Sequence, residues 1–346
     1  MTARRWLVRL SAVLAVGVVA FGVVGCGGGD DDGDAGSEFS IGLVTDTAGP
    51  NDRGFNEFSI AGLERAGDEL GVDTRVYISA VEDDYLANLT AAAEDGHDLV
   101  IGVGFLLRAQ TIQVAEEYPD TFFAGVDHFY GGDGCEEAGT CEQPNALGMQ
   151  YPSEEAGYLA GIVAALTTQS KTVSTVGGIK IPPVDNWIAG FQQGVADTDP
   201  SVRTLNAYSQ DFVDQAKCKE IALDQISQGS DIVFQVAGDC GLGAIDAACE
   251  EGKWAIGVDA DQSGQGDCVI TSALKPLEAS VFSVIESVVD GTFQGGTNAF
   301  YGIQDLPDAD LLAPLSDDVA DGAQEAVDEA LEKLRSGEID PPATVE

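Results

Sequence analysis

A chain of 346 residues is longer than one hydrophobic core normally serves, so two lobes are expected. An apolar fraction of 44% excludes a disordered polymer, and 59 acidic against 16 basic residues, a formal charge of -43, exclude nucleic acid as a partner because this surface repels phosphates. The two His residues, His97 and His128, lie far from any Cys spaced for a metal, and the sequence contains no phosphate loop, nucleophile elbow or His-Glu-x-x-His motif, so neither a metal nor a cofactor is expected.

At the N-terminus, Arg4, Arg5 and Arg9 precede an apolar run from Leu10 to Val24 that ends at Val-Gly-Cys26. The run is too short for a comfortable membrane span, so residues 1–25 are read as a bacterial lipoprotein signal rather than a retained anchor. Cys26 is then the lipidated mature N-terminus, and Gly, Asp and Ser make residues 26–38 a flexible tether. These features predict a protein lipid-anchored on the extracytoplasmic face of the cell membrane. Cleavage removes three Arg and leaves the chain more acidic still, which favours a soluble monomer and suggests a salty habitat. The mature protein should melt at a higher temperature in molar salt than in low salt, and the reverse order in a thermal scan would contradict this expectation.

The most informative pattern is internal duplication. Asp98-Leu-Val-Ile-Gly-Val-Gly leads through an amphipathic stretch to Phe122-Phe-Ala-Gly-Val-Asp127, and Asp231-Ile-Val-Phe-Gln-Val-Ala-Gly238 leads through another to Trp254-Ala-Ile-Gly-Val-Asp259. Upstream, Ala61-Gly62-Leu63 and Ala189-Gly190-Phe191 are expected to open helices after the strands 41–45 and 172–176. Short β-branched runs alternating with helix-length segments predict an α/β fold of two lobes, each a parallel sheet flanked by helices with the ligand in the inter-lobe cleft. Residues 39–151 plus about 270–298 form the N-terminal lobe, and 152–269 plus about 299–346 the C-terminal lobe. The helical stretch 274–290 returns to the first, and 318–335 is a final amphipathic helix.

With Cys26 lipidated, six cysteines remain outside the membrane, suggesting three disulfides rather than buried thiols. Cys218, near a helix start, and Cys240, just past a strand, share the cleft edge of the second lobe. Cys249, at a helix end, and Cys268, before a strand, share the opposite edge. The expected pairs are Cys218–Cys240 and Cys249–Cys268, with Cys135–Cys141 closing a short loop.

In open parallel sheets ligands bind beyond the carboxyl ends of the strands, so Asp127 and Asp259 should face each other across one cleft, although either could simply cap the next helix. Asp46 to Asn56 leaves the first strand and enters a helix, bringing the Phe55 ring and the two-sided Asn56 amide to the cleft. Phe212 and Trp187, the latter on a cleft-edge loop, are expected on the opposing side. Gly238 opens a turn whose N–H groups could bind an anion or a carbonyl. Lys275 lies where the chain crosses back between lobes and could hold a diol beside Asp259, or stand at the surface. His128 is read as a solvated turn residue rather than a base.

Together, the lipobox, Asp46 with Asp-x-Gly-Phe-Asn at 52–56, Glu155-Ala-Gly-Tyr-Leu-Ala-Gly161, Asp-Phe-x-Asp-x-x-Lys at 211–217, Val-Phe-Gln-Val-Ala-Gly238, Gly-Val-Asp-x-Asp-Gln at 257–262 and Ser-x-x-Lys275 resemble the basic membrane protein family, nucleoside-binding lipoproteins of ABC importers that include the purine nucleoside receptor. The resemblance implies a two-lobed periplasmic-binding-protein fold (type I) closing on a nucleoside. Phe55 and Phe212 would sandwich the base, Asn56 and Asp127 would read its edge, Asp259 with Lys275 would hold the ribose, and Asp46 and Gly238 would line the pocket. The sequence departs from the family at Gly54, where Ser is usual, and at Asp239-Cys240, where Gly-Thr or Gly-Ser is common.

The leading expectation is a solute-binding lipoprotein that delivers a nucleoside, a purine by family resemblance, to an ABC permease by hinge closure. A receptor for another small polar solute such as a sugar, or a signalling lipoprotein, is the alternative. An exported enzyme with Lys275 as nucleophile would need a depressed Lys pKa and a nearby base, and no convincing pair exists, so catalysis is not expected.

Overall fold

The computed structural model describes residues 38–131 and 143–345. The expected signal, Cys26, all but the last tether residue and the Cys135–Cys141 pair lie outside the described residues. The first sheet contains β1 (Ser40–Val44), β2 (Asp73–Tyr77), β3 (Leu99–Val103), β4 (Phe122–Val126), β5 (Ala146–Gln150) and β11 (Thr297–Phe300), in the order β11-β5-β4-β3-β1-β2. The second contains β6 (Thr172–Gly177), β7 (Arg203–Tyr208), β8 (Ile232–Val236), β9 (Trp254–Asp259) and β10 (Val269–Leu274), in the order β10-β9-β8-β6-β7. Every named pairing is parallel, and the central strands β3 and β8 are buried along their whole length, which explains their continuous apolar sequences. Apart from β11, the two sheets have the same strand order, so the duplication seen in the sequence is a duplication of topology. The architecture is the two-lobed α/β arrangement of periplasmic binding proteins.

Helices α1 (Phe55–Leu70), α2 (Asp84–Glu94) and α3 (Arg108–Glu117) belong to the first sheet, and α4 (Ser153–Thr167), α5 (Pro182–Thr198), α6 (Gln215–Ser227) and α7 (Gly238–Glu250) to the second. The chain then crosses back at Lys275 into α8 (Leu277–Val289), whose Leu277, Val281 and Ile285 join the first lobe's core beside Leu63 of α1. The boundaries differ from expectation at two points. Residues 269–274 pair with β9, so the return to the first lobe begins at Lys275 rather than at about 270. Residues 297–300 pair with β5, which holds the chain in the first lobe until Tyr301. The final helix α9 (Ala323–Ser336) is shorter than the stretch 318–335 anticipated and packs Val327, Ala330 and Leu334 into the second core.

The crossings after β5, β10 and β11 converge. Tyr151 stacks on Tyr301 at 5.5 Å, its hydroxyl lies 2.7 Å from that of Ser280, and the Lys275 ammonium sits 4.9 Å from its ring centre. A cluster of aromatic rings and one cation thus stands where the chain passes between the lobes.

Ala61-Gly62-Leu63 and Ala189-Gly190-Phe191 fall inside α1 and α5 instead of opening them, because their glycines serve packing. A Cβ at Gly62 would lie 2.6 Å from the Glu278 carbonyl of α8, and one at Gly190 would lie 2.0 Å from the Glu154 carbonyl of α4. The Glu155-to-Gly161 motif does the same from the other side, since a Cβ at Gly161 would lie 2.3 Å from the Phe191 carbonyl. Only backbones without side chains approach this closely. Gly194→Ala, whose new methyl would stand 2.1 Å from the Tyr158 carbonyl, should therefore cost about 1–3 kcal/mol in urea denaturation, and an unchanged midpoint would contradict this packing.

Cys218 is joined to Cys240 and Cys249 to Cys268. The first ties the starts of α6 and α7, and the backbone N–H of Cys240 also donates to the Phe212 carbonyl at 2.9 Å, so the loop carrying Phe212 is anchored twice.

Candidate functional site

Strand order reverses between β1 and β3 in one lobe and between β6 and β8 in the other. A crevice forms beyond the strand ends at such points. Here the two crevices face each other across one space of about 630 Å³, counted out to the solvent mouth. The walls include Asp46, Phe55, Asp127, Trp187, Phe212, Gly238, Asp259 and Lys275. Eight of the nine expected ligand-site residues are thus gathered around one space.

The ninth is Asn56. It is fully buried, and its amide nitrogen donates to Asp46 Oδ1 at 2.6 Å and Asp52 Oδ2 at 3.0 Å, while its oxygen accepts from the Asp46 N–H at 3.2 Å. It holds two carboxylates in place and does not line the cavity. Asp52, which does line it, caps α1 by accepting from the N–H groups of Gly54, Asn56 and Glu57. The cap spacing before the helix is the signal that would have singled it out. Burial raises the Asp52 pKa against these hydrogen bonds, and burial pushes Asp46 up to about 6.

Phe55 and Phe212 are both partly exposed, each to the same cavity, one from the N-terminus of α1 and the other from the loop before α6. Phe212 lies against Gly178, where any Cβ would fall 2.3 Å from its ring, and Phe55 rests over Gly104, which adopts φ +111°. Gly104 is fixed in turn by His128, whose Nε2 lies 2.8 Å from its carbonyl and whose Nδ1 lies 2.8 Å from the Tyr130 hydroxyl. His128 is therefore not a solvated turn residue. It is fully buried, and burial drives its pKa down to about 3, so it stays neutral. Trp187 sits in α5 rather than on a loop and is 3% exposed, lining the cavity as part of its wall.

Asp127 and Asp259 end equivalent strands, and both adopt the left-handed backbone, with φ 61° and 66°. Asp tolerates this region better than most residues, which accounts for the matched Gly-Val-Asp motifs. The acids differ in their partners. Lys275 Nζ lies 3.0 and 2.8 Å from the two Asp127 oxygens, and both side chains are almost wholly buried. The ammonium thus pairs across the lobes with Asp127, while toward Asp259 it acts only through its charge and the Lys275 backbone N–H donates to the Asp259 carbonyl at 3.0 Å. It also faces the rings of Phe55 at 5.0 Å and Trp187 at 5.8 Å. Burial, only partly offset by Lys275, pushes Asp259 up to about 7, with Asp127, Asp52 and Asp46 adding repulsion. Near Asp259 the lobes touch. Gln262 Nε2 donates to the Arg53 carbonyl at 3.3 Å, and a Cβ on Gly54 would make ordinary contact with Asp259 at 3.6 Å, so the space for a serine is present and its hydroxyl is not.

The site therefore offers aromatic faces, four carboxylates and one committed cation, which suits a flat ligand bearing several hydrogen-bond donors. Among the described residues, no group of three or more His, Cys, Asp or Glu side chains could hold a metal ion, and no helix is long and apolar enough to cross a membrane.

Residues 39–306 match the family model described as ABC transporter substrate-binding protein PnrA-like. A CD4+ T-cell-stimulating antigen of Listeria innocua is 31% identical, with 99% of each chain covered. An ABC transporter nucleoside-binding protein BmpA of Lactococcus lactis is 28% identical, covering 92% of this chain and 97% of its own. A solved ABC transporter solute-binding protein of Aeropyrum pernix K1 superposes with TM-score 0.77 at 26% identity, covering 89% of this chain and 94% of its own.

Proposed function

Since this chain belongs to the PnrA-like family of ABC transporter substrate-binding proteins, we propose that its solute is a nucleoside, carried on the outer face of the membrane and passed to a permease when the lobes close. The observation that carries this reading is the pair of partly exposed rings, Phe55 and Phe212, brought from opposite lobes to one carboxylate-lined cavity. A planar base between them gains stacking on two faces, but only when the lobes are together, and that differential affinity drives closure. Asp259 and the second oxygen of Asp46 accept hydrogen bonds from ribose hydroxyls and base N–H groups. Lys275 keeps Asp127 oriented at the seam, and Asn56 positions Asp46 without touching the solute. The lipid anchor at Cys26 keeps the receptor near its permease. The name of the Lactococcus relative supports the ligand class.

Titration calorimetry with a panel of nucleosides and free sugars tests this reading. Phe55→Ala and Phe212→Ala should each weaken nucleoside binding by about 1–3 kcal/mol. Wild-type affinity in both variants, or binding of free sugars with no binding of nucleosides, would overturn it.

A further inference from the structure

The cleft does not end at Asp127. Beside it opens a second chamber, about 620 Å³ counted out to the solvent mouth, that shares Phe105, Asp127 and Pro183 with the first and is lined also by Arg108, Gln150, Tyr151 and Asn186. Each polar side chain on its walls but one has at least one hydrogen-bond or ion-pair partner. Asp127 is held by Lys275, and the Tyr151 hydroxyl meets Ser280. The Gln150 amide nitrogen donates to the His128 carbonyl, and that of Asn186, in the orientation that satisfies it, donates to the carbonyls of Pro182 and Ala343. Arg108 is the exception. Its guanidinium lies 4.8 Å from the centre of the Phe105 ring and, among the described residues, has neither a hydrogen-bond acceptor nor a carboxylate partner. In a chain with 59 acidic residues, an arginine free of a carboxylate beside the ligand cleft is a notable placement. A guanidinium carries five N–H donors, and hydrogen bonds from a charged donor to oxygen are among the stronger ones available.

We infer that this chamber receives an oxygen acceptor of the bound solute and that Arg108 selects for it. The inference rests on the nucleoside reading, under which the acceptor is either a carbonyl of the base or a phosphate on the ribose. The main cavity, lined by four aspartates, has no uncommitted donor of this strength, so the two compartments divide the work: carboxylates take the ligand's donors, and Arg108 takes its acceptor.

The test compares inosine, adenosine and inosine 5′-monophosphate by calorimetry on the wild-type protein and on Arg108→Gln, with thermal unfolding of the unliganded proteins as a fold control. If the acceptor is the base carbonyl, Arg108→Gln weakens inosine roughly tenfold to a hundredfold and leaves adenosine near its wild-type affinity. If it is the phosphate, the monophosphate alone loses affinity by that factor. Unchanged affinities for all three ligands, or an equal loss for all three with a lowered melting temperature, would overturn the chamber's role while the nucleoside reading stands. Failure of the wild type to bind any of them would overturn both.

Discussion

Lys275→Met is expected to destabilise the unliganded protein by about 3–5 kcal/mol at neutral pH, the usual result of removing one partner from a buried ion pair. The geometry places this residue at the upper end of that range. Its ammonium is bidentate to Asp127, with the two side chains 2% and 8% exposed, and it is the cation closest to a group that also contains Asp46, Asp52 and Asp259. Methionine keeps the length and the contacts with Tyr151 and Phe55 but leaves the Asp127 carboxylate uncompensated at the seam between the lobes. Asp127→Asn in the same chain should restore most of the loss, because the buried charge is then gone along with its partner. Urea denaturation of the four proteins in the cycle gives the coupling directly, and additive losses would show that the pair is not a unit.

Much of this was legible in the sequence, for identifiable reasons. The repeated Gly-Val-Asp motif marks equivalent strand ends because a parallel strand buried on both faces is a short apolar run, and the acid after it stands at the ligand edge whichever lobe it belongs to. The cysteine pairs could be reasoned out because helix starts and strand ends lie on the same sheet edge. What was hidden depended on contacts between segments distant in sequence. Asn56 looked like a ligand reader because a free amide has two faces, yet both are consumed by Asp46 and Asp52. The position of Lys275 at the crossing suggests a role beside Asp259 or at the surface, and nothing in its neighbours shows that its side chain reaches into the other lobe to Asp127. Trp187 is expected on a cleft-edge loop, yet it lies in α5, which begins at Pro182-Pro183 because proline is well tolerated in the first turn of a helix. The transit point was drawn too early because Val269–Leu274, with one polar pair inside it, does not show from its own pattern which sheet it joins.

Lowering the pH from 8 to 5 should stabilise the unliganded protein, by an amount on the order of several kcal/mol. Asp259 has its pKa pushed up to about 7, Asp46 to about 6 and Glu154 to about 7, in each case chiefly by burial. A carboxyl with a raised folded pKa holds its proton where the unfolded chain has already released it. Between about pH 4 and 7 the folded protein therefore binds more protons, and stability falls as pH rises through that window. Partial neutralisation of a chain with formal charge -43 acts in the same direction. At still lower pH the sign reverses, because carboxyls such as Asp199, held below the ordinary range by Lys171, lose their partners when protonated. Ligand affinity should run the opposite way. If ionised Asp259 accepts hydrogen bonds from hydroxyls, it must lose its own proton first, so nucleoside binding should tighten from pH 5.5 to 7.5 and release a fraction of a proton. Calorimetry in buffers of different ionisation enthalpy measures that release, and Asp259→Asn should abolish it while flattening the stability profile. An Asp259→Asn variant with the wild-type pH dependence of both stability and binding would remove Asp259 as the titrating group.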